Sequence, residues 1–197
     1  NFLRNILISW TEVIDQNQEK TFVYIEKVPE SFSKLKFIQK AFISCYFDSS
    51  KTTSSYEKII NDNNLNFSRY NFFLVNYLLK KNKISEVQDL MKKKREAFDS
   101  NLLLKHSRVL FYKKNYRKLK NYFNCKNPNH SISEFFYLIA NLHSSEGNYI
   151  LSNFYLKISY FMNSNFHPNR ALMAENYFYL QNYDYAKKIY FSLRKEG

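Results

Sequence analysis

Glycine and proline are almost missing from this chain, with 2 Gly and 3 Pro in 197 residues. An all-β protein needs turn residues in quantity, and dinucleotide or nucleoside-triphosphate enzymes need glycines where the backbone meets phosphate. Gly147 and Gly197 are the only two, so no glycine-rich phosphate loop exists. The scarcity points to a mostly helical protein. Long apolar runs are missing too: nothing approaches the roughly 18 apolar residues of a membrane helix. No signal peptide is visible, and the chain starts at Asn1 rather than Met, as expected of a fragment or a processed form. Cysteine is limited to Cys45 and Cys125. They match neither a metal spacing nor a disulfide framework, so both are expected to be ordinary thiols.

What is present is 45% hydrophobic residues, enough for one folded unit with a continuous core. Lysine outnumbers arginine 23 to 7 and there are 24 asparagines. That bias, with abundant Phe, Tyr and Ile, is the mark of an AT-rich genome and raises the basic count without any functional cause.

The chain also repeats itself. "SNFYLKISYF" at 152–161 is followed 34 residues later by "AKKIYFSLRK" at 186–195. Ala140 pairs with Ala174, Asn148-Tyr149 with Asn182-Tyr183, Ser152 with Ala186, and Leu156 with Tyr190. One step back lie Ser107, Asn115-Tyr116, Leu119 and Phe123, and a further step reaches Val75, Lys83-Ile84, Val87 and Met91. Each unit reads as two short helices around a polar break: "KKNK", "KKN", "SEGN" or "QN". Small residues let the two helices approach, and aromatics fill the groove toward the next pair. "NCKNPNH" at 124–130 and "NSNFHPN" at 163–169 stop the second helices. Residues 2–14 with 19–28, and 32–47 with 52–62, form two looser pairs. The expected helix hairpins are therefore roughly 1–30, 31–64, 67–98, 100–126, 131–163 and 167–197.

This period and slot pattern resemble the tetratricopeptide repeat (TPR). "ALMAENYFYLQNYDYAKKIYFSL" carries the small residue Ala174, the aromatic Tyr177, the turn, Tyr183, Ala186 and Tyr190. The usual first-helix Trp is absent, and Gly147 is the only turn glycine. The segment with Glu134, Phe136, Tyr137 and Ala140 is similar to large bacterial TPR proteins of alpha-proteobacteria. The resemblance implies an all-α, right-handed α-solenoid of about six antiparallel hairpins, forming one superhelical domain over 1–197. Members of that family commonly begin with an export signal, which implies the periplasm or cell envelope, with the cytoplasm as the alternative. It also implies that first helices line a concave face that holds extended peptides. The polar slot after the small residue is Asn76, Arg108, Asn141 and Glu175, with Arg69, Lys80 and Lys105 on the same helices.

Acidic residues thin out in one segment. Residues 80–126 hold 15 Lys or Arg against 4 Asp or Glu, whereas 1–79 hold 9 against 8 and 127–197 hold 6 against 5. A genome-wide bias does not explain a local loss of acids. Lys92, Lys93, Lys94 and Arg95 suit a helix C-terminus, and the run can be read as a solvated face. It can also be read as an anion-attracting surface comprising those four with Lys113, Lys114, Arg117, Lys118 and Lys120. The partner expected is an acidic protein or peptide. The alternative is nucleic acid, since Tyr112, Tyr116 and Tyr122 interleave with the lysines. No enzyme pattern emerges: Cys125, His130 and His143 lack a fourth ligand, and no catalytic residue, metal or cofactor is assigned. The expectation is a non-enzymatic scaffold.

Overall fold

A computed structural model describes residues 2–62 and 67–196, with side chains to Arg194. Positions 1, 63, 64 and 197, included in three of the expected hairpins, lie outside the described residues. Among the described residues the fold is all-α. The helices are α1 (Phe2–Ile14), α2 (Gln18–Glu26), α3 (Ser33–Tyr46), α4 (Thr52–Ile60), α5 (Tyr70–Lys80), α6 (Ile84–Lys93), α7 (Arg95–Ser100), α8 (Leu102–Tyr112), α9 (Tyr116–Tyr122), α10 (Pro128–Ser145), α11 (Tyr149–Met162), α12 (Pro168–Tyr179) and α13 (Tyr183–Glu196). Pro128 and Pro168 open helices as first-position prolines, where the missing N–H is not needed. One domain is expected from the sequence; the contacts cluster in two compact units, residues 1–128 and 129–197.

One turn serves six helix pairs. Each first helix ends in a residue with positive φ: Gln16, Asp48, Asn82, Lys114, Gly147 or Gln181. The following N–H reaches back five residues, as in Asn17 to Glu12, Ser49 to Ser44, Lys83 to Leu78, Asn115 to Leu110, Asn148 to His143 and Asn182 to Tyr177, at 2.8–2.9 Å. This is the Schellman closure, which satisfies carbonyls that the helix end would leave open. Glycine is the usual left-handed residue there, yet only one of the six is Gly. The asparagine after the turn then caps the second helix. Asn17, Asn115, Asn148 and Asn182 accept from the N–H groups of Lys20, Lys118, Leu151 and Tyr185. In three of the four polar breaks the "N" is therefore a helix cap, while in "KKNK" Asn82 is itself the left-handed residue and Lys83 follows without a side-chain cap.

The second half of the expected 67–98 hairpin is two helices, because the chain breaks at Lys94 (φ −106°, ψ 32°). The break ends α6 and starts α7, and Phe98 on α7 is fully buried.

The core of the first unit is aromatic. Helix α5 buries Tyr70, Phe72, Phe73, Leu74, Val75, Leu78 and Leu79. Phe42 from α3 meets Phe73 at 5.0 Å and Phe123 at 5.4 Å, and Phe73 meets Phe123 at 4.7 Å, mostly edge-on. Buried Trp10 donates to Gln39 Oε1 at 2.8 Å, tying α1 to α3.

Cys45 and Cys125 are not independent thiols. They form a disulfide with Cα atoms 5.8 Å apart, joining α3 to the loop after α9 across 80 residues of sequence. The same ring contacts that bring Phe123 to Phe42 bring the two cysteines together. Sequence spacing carries no trace of that contact.

The second unit is knitted by small polar groups. The Ser133 hydroxyl donates to the Ser159 carbonyl and the Ser159 hydroxyl to the Ser133 carbonyl, both at 2.7 Å. This reciprocal pair needs α10 and α11 close together, which small side chains permit. Ala140, Leu156, Leu172 and Met173 make the apolar cluster beside it. Helix α12 lies over both helices through Asn176. Its amide nitrogen donates to Ser152 Oγ (2.7 Å) and Asn153 Oδ1 (3.0 Å), and its oxygen accepts from Ser144 Oγ (2.6 Å).

Candidate interaction surface

The basic zone lies within the first unit, on α6 to α9 and the loop that follows. Of its four carboxylates Glu86 and Asp99 are engaged, while Asp89 and Glu96 are exposed. Asp99 on α7 takes Arg108 of α8 and, at 3.7 Å, Arg95 of its own helix. The Arg108 guanidinium holds the Asp99 carboxyl below its ordinary value. Lys83 pairs with Glu86 at 2.9 Å. Asp48, at the turn after α3, takes Lys81 at 2.8 Å and Lys126 at 3.1 Å. Its carboxyl is likewise held low, first by the hydrogen bond from Lys81.

The remaining cations are in excess. Among the described residues no carboxylate pairs with Lys92, Lys93, Lys113, Lys114, Arg117 or Lys120. Lys92, Lys93, Arg95, Lys113, Lys114 and Arg117 are exposed, and Lys94, Lys118 and Lys120 half-buried. Lys94 donates to Asn61 Oδ1 at 2.7 Å. The excess acts on its neighbours. Lys80 at the end of α5 is pushed down to about 8 by burial and then by Lys120. His106 on α8, 3.2 Å from the Tyr122 hydroxyl, is lowered by burial and then by Lys118. Two lysines of α9 thus repel two separate titrating groups.

The expected groove residues divide. Asn76 is buried, and its amide nitrogen, in the orientation its neighbours require, donates to the Leu119 and Phe123 carbonyls at 3.1 Å. It fastens α5 to α9 and presents nothing to a partner. Arg69 is half-buried at the start of α5. Lys80 donates to Asn124 Oδ1, while Lys105 is exposed and Arg108 half-buried on α8, which packs against α5. In the second unit, Asn141 on α10 and Glu175 on α12 are exposed. Lys80 therefore joins the groove set to the anion-attracting set, beside Lys120.

Of the tyrosines that interleave with the lysines, Tyr122 is buried, Tyr116 half-buried and Tyr112 exposed. Cys125 is held in the disulfide, so it offers no thiolate. Among the described residues no three His, Cys, Asp or Glu side chains gather as metal ligands. No helix among them is long and apolar enough to cross a membrane. The residues missed in sequence are Asp48, Asp99 and Asn124, acceptors whose role appears only when separate helices meet.

The site and fold define an all-α protein with a basic surface on its first unit. Comparison with protein-family models, with curated proteins and with solved structures brings no significant match to the chain.

Proposed function

We propose that the chain is a non-enzymatic helical-repeat scaffold of the TPR type, its hairpins stacked as a solenoid, that holds an acidic protein or peptide. The observation that carries this reading is the excess of exposed cations on α6 to α9, which outnumber the carboxylates there, two of which, Glu86 and Asp99, already have partners. The recurrence of one turn in six helix pairs supports the repeat. Lys80, Lys105 and Arg108 on the adjoining α5 and α8 contact the partner, and Lys92, Lys93, Lys113, Lys114 and Arg117 draw it in. Lysine, as a compact and well-hydrated charge, suits steering more than fixed readout.

The test is a titration of a fluorescein-labelled polyglutamate peptide against the chain and a variant with Lys92, Lys93, Lys113 and Arg117 changed to Glu. Saturable binding that the variant loses supports the scaffold. Lys80 must be protonated to attract a carboxylate, so affinity falls as pH rises through about 8, and Lys80→Met removes that step. Binding indifferent to the four reversals sinks the proposal. A single-stranded oligonucleotide bound more tightly than the peptide, with affinity falling steeply with salt, transfers the zone to nucleic acid.

A further inference from the structure

Taking a lysine ammonium out of water is unfavourable unless an anion comes with it. The sheltered lysines of α3 follow that rule. Buried Lys36 takes Glu30 at 2.7 Å and Glu26 at 3.8 Å, and half-buried Lys40 takes Glu26 as well. Lys80, the last residue of α5, does not. Its side chain is half-buried, and its Nζ donates to the amide oxygen of Asn124, beside the cysteine that fastens this loop to α3. Among the described residues no carboxylate pairs with it. Lys81, its neighbour in sequence, takes Asp48 instead.

The surroundings of Lys80 add a cation and no anion. Asn76, one turn earlier on α5, bonds the Leu119 and Phe123 carbonyls, and Lys120 of α9 lies close enough to repel the ammonium. On the other elements packed against α5, His106 of α8 turns to Tyr122, Lys58 of α4 lies over the Phe37 ring, and Glu86 of α6 takes Lys83. Burial and then Lys120 hold Lys80 down to about 8. About a quarter of it is then neutral at pH 7.5, against about one in a thousand for a lysine at the ordinary 10.5. An amide oxygen only accepts, so Asn124 engages an N–H and leaves the nitrogen lone pair of the neutral amine free.

We propose that Lys80 is a modification site, a nucleophilic amine that takes an acyl group from an acyl phosphate without the help of an enzyme. The nitrogen lone pair attacks the acyl carbon and forms the amide bond as the carbon–oxygen bond to phosphate breaks. Phosphate leaves with that electron pair, and the proton shed by nitrogen passes to water. A phosphate leaving group matches the site, because Lys120 and the exposed Lys113, Lys114 and Arg117 of the same unit attract its charge. The product amide is uncharged, so the sheltered position no longer opposes Lys120. On the scaffold reading acylation also removes a cation that contacts the partner, but the chemistry itself needs no partner.

The folded chain, its disulfide intact, is incubated with acetyl phosphate at pH 7.5, and each lysine is followed by peptide mass spectrometry. Lys80 should acetylate about tenfold or more faster than exposed Lys113. Its rate should level off above about pH 8, where the amine is already neutral. Asn124→Asp sets a carboxylate against the ammonium with little change of shape, so the Lys80 rate should fall about tenfold while that of Lys113 holds. Circular dichroism checks that this variant is folded. Lys120→Ala, at a half-buried position, is the second variant and should slow Lys80 about threefold. A neutral donor, N-acetoxysuccinimide, should choose Lys80 by a smaller margin. Lys80 reacting no faster than Lys113, or unmoved by both substitutions, overturns the proposal. So does equal selectivity with the neutral donor, since the cations then play no part. None of these readings involves the polyglutamate titration, so failure here and failure of the scaffold reading are separable.

Discussion

Residues 1–128 and 129–197 build helix pairs with the same turn and hold them by opposite chemistry. The first unit interlocks rings: Phe42, Phe73 and Phe123 meet within 5.4 Å. A disulfide and the Asp48 ion pairs then fasten α3 to the chain after α9 and after α5. The second unit brings helices close through Ser133, Ser152, Ser159 and Ala140, and closes the gaps with hydroxyl and amide bonds. Ring packing depends less sharply on exact position than a hydrogen bond does, so it tolerates varied helix lengths and the extra α7. The polar network fixes one geometry, because each buried donor must find its acceptor. Irregular spacing and a regular repeat sit in the units that these two chemistries permit.

The largest break in this comparison should come from the disulfide. Replacing Cys45 and Cys125 by Ala frees a loop of 80 residues and, on the chain-entropy view, lowers the stability of the first unit by about 4.5 kcal/mol. Hydrogen exchange should show protection falling in α3, α5 and α9 while α10 to α13 keep theirs. A uniform loss along the chain would mean that the two units unfold as one.

The second unit answers with its amides. Asn176→Ala leaves Ser144, Ser152 and Asn153 without their shared partner, and should destabilise α11 and α12 by about 2 kcal/mol. Urea unfolding followed by exchange in those helices measures it. An unchanged midpoint would show that small-residue packing, not the network, holds α12.

The smallest effect tests the element both units share. Lys114 and Gln181 occupy the left-handed region at φ 56° and 60°, where a side chain is strained and glycine is not. Lys114→Gly in the first unit and Gln181→Gly in the second should each stabilise by up to about 1 kcal/mol. Gly147→Ala should lose about as much, through backbone strain alone, since a Cβ there meets nothing within 4 Å. Thermal melts of the three variants rank the turns, and opposite signs at Lys114 and Gln181 would show that the turns are not equivalent.

Much of the local architecture was legible. Three of the four polar breaks mark their turns because an asparagine after a left-handed residue both closes one helix and caps the next. The small slots at Ala140, Ser152, Ala174 and Ala186 are all buried, as close helix approach requires. Three things were not legible. Asn76 shares its residue type with 23 other positions, and only the approach of α9 decides that it lies inside. The slot that buries Leu156 in α11 beneath α12 holds a half-exposed Tyr190 in α13. Lys94 and Arg95 read as the C-terminal end of one helix, yet the chain breaks at Lys94 and Arg95 opens α7, which buries Phe98.

The sequence by itself determined that the chain is helical, where most helices start and stop, and which segment is short of acids. These are local matters of hydrophobic period, capping and charge count. Only the tertiary structure decided that Cys45 meets Cys125, that Asp48 and Asp99 engage cations of the basic zone, and that Lys80 meets an amide in place of a carboxylate. Each of those depends on which distant residues approach one another, and spacing along the chain does not encode that.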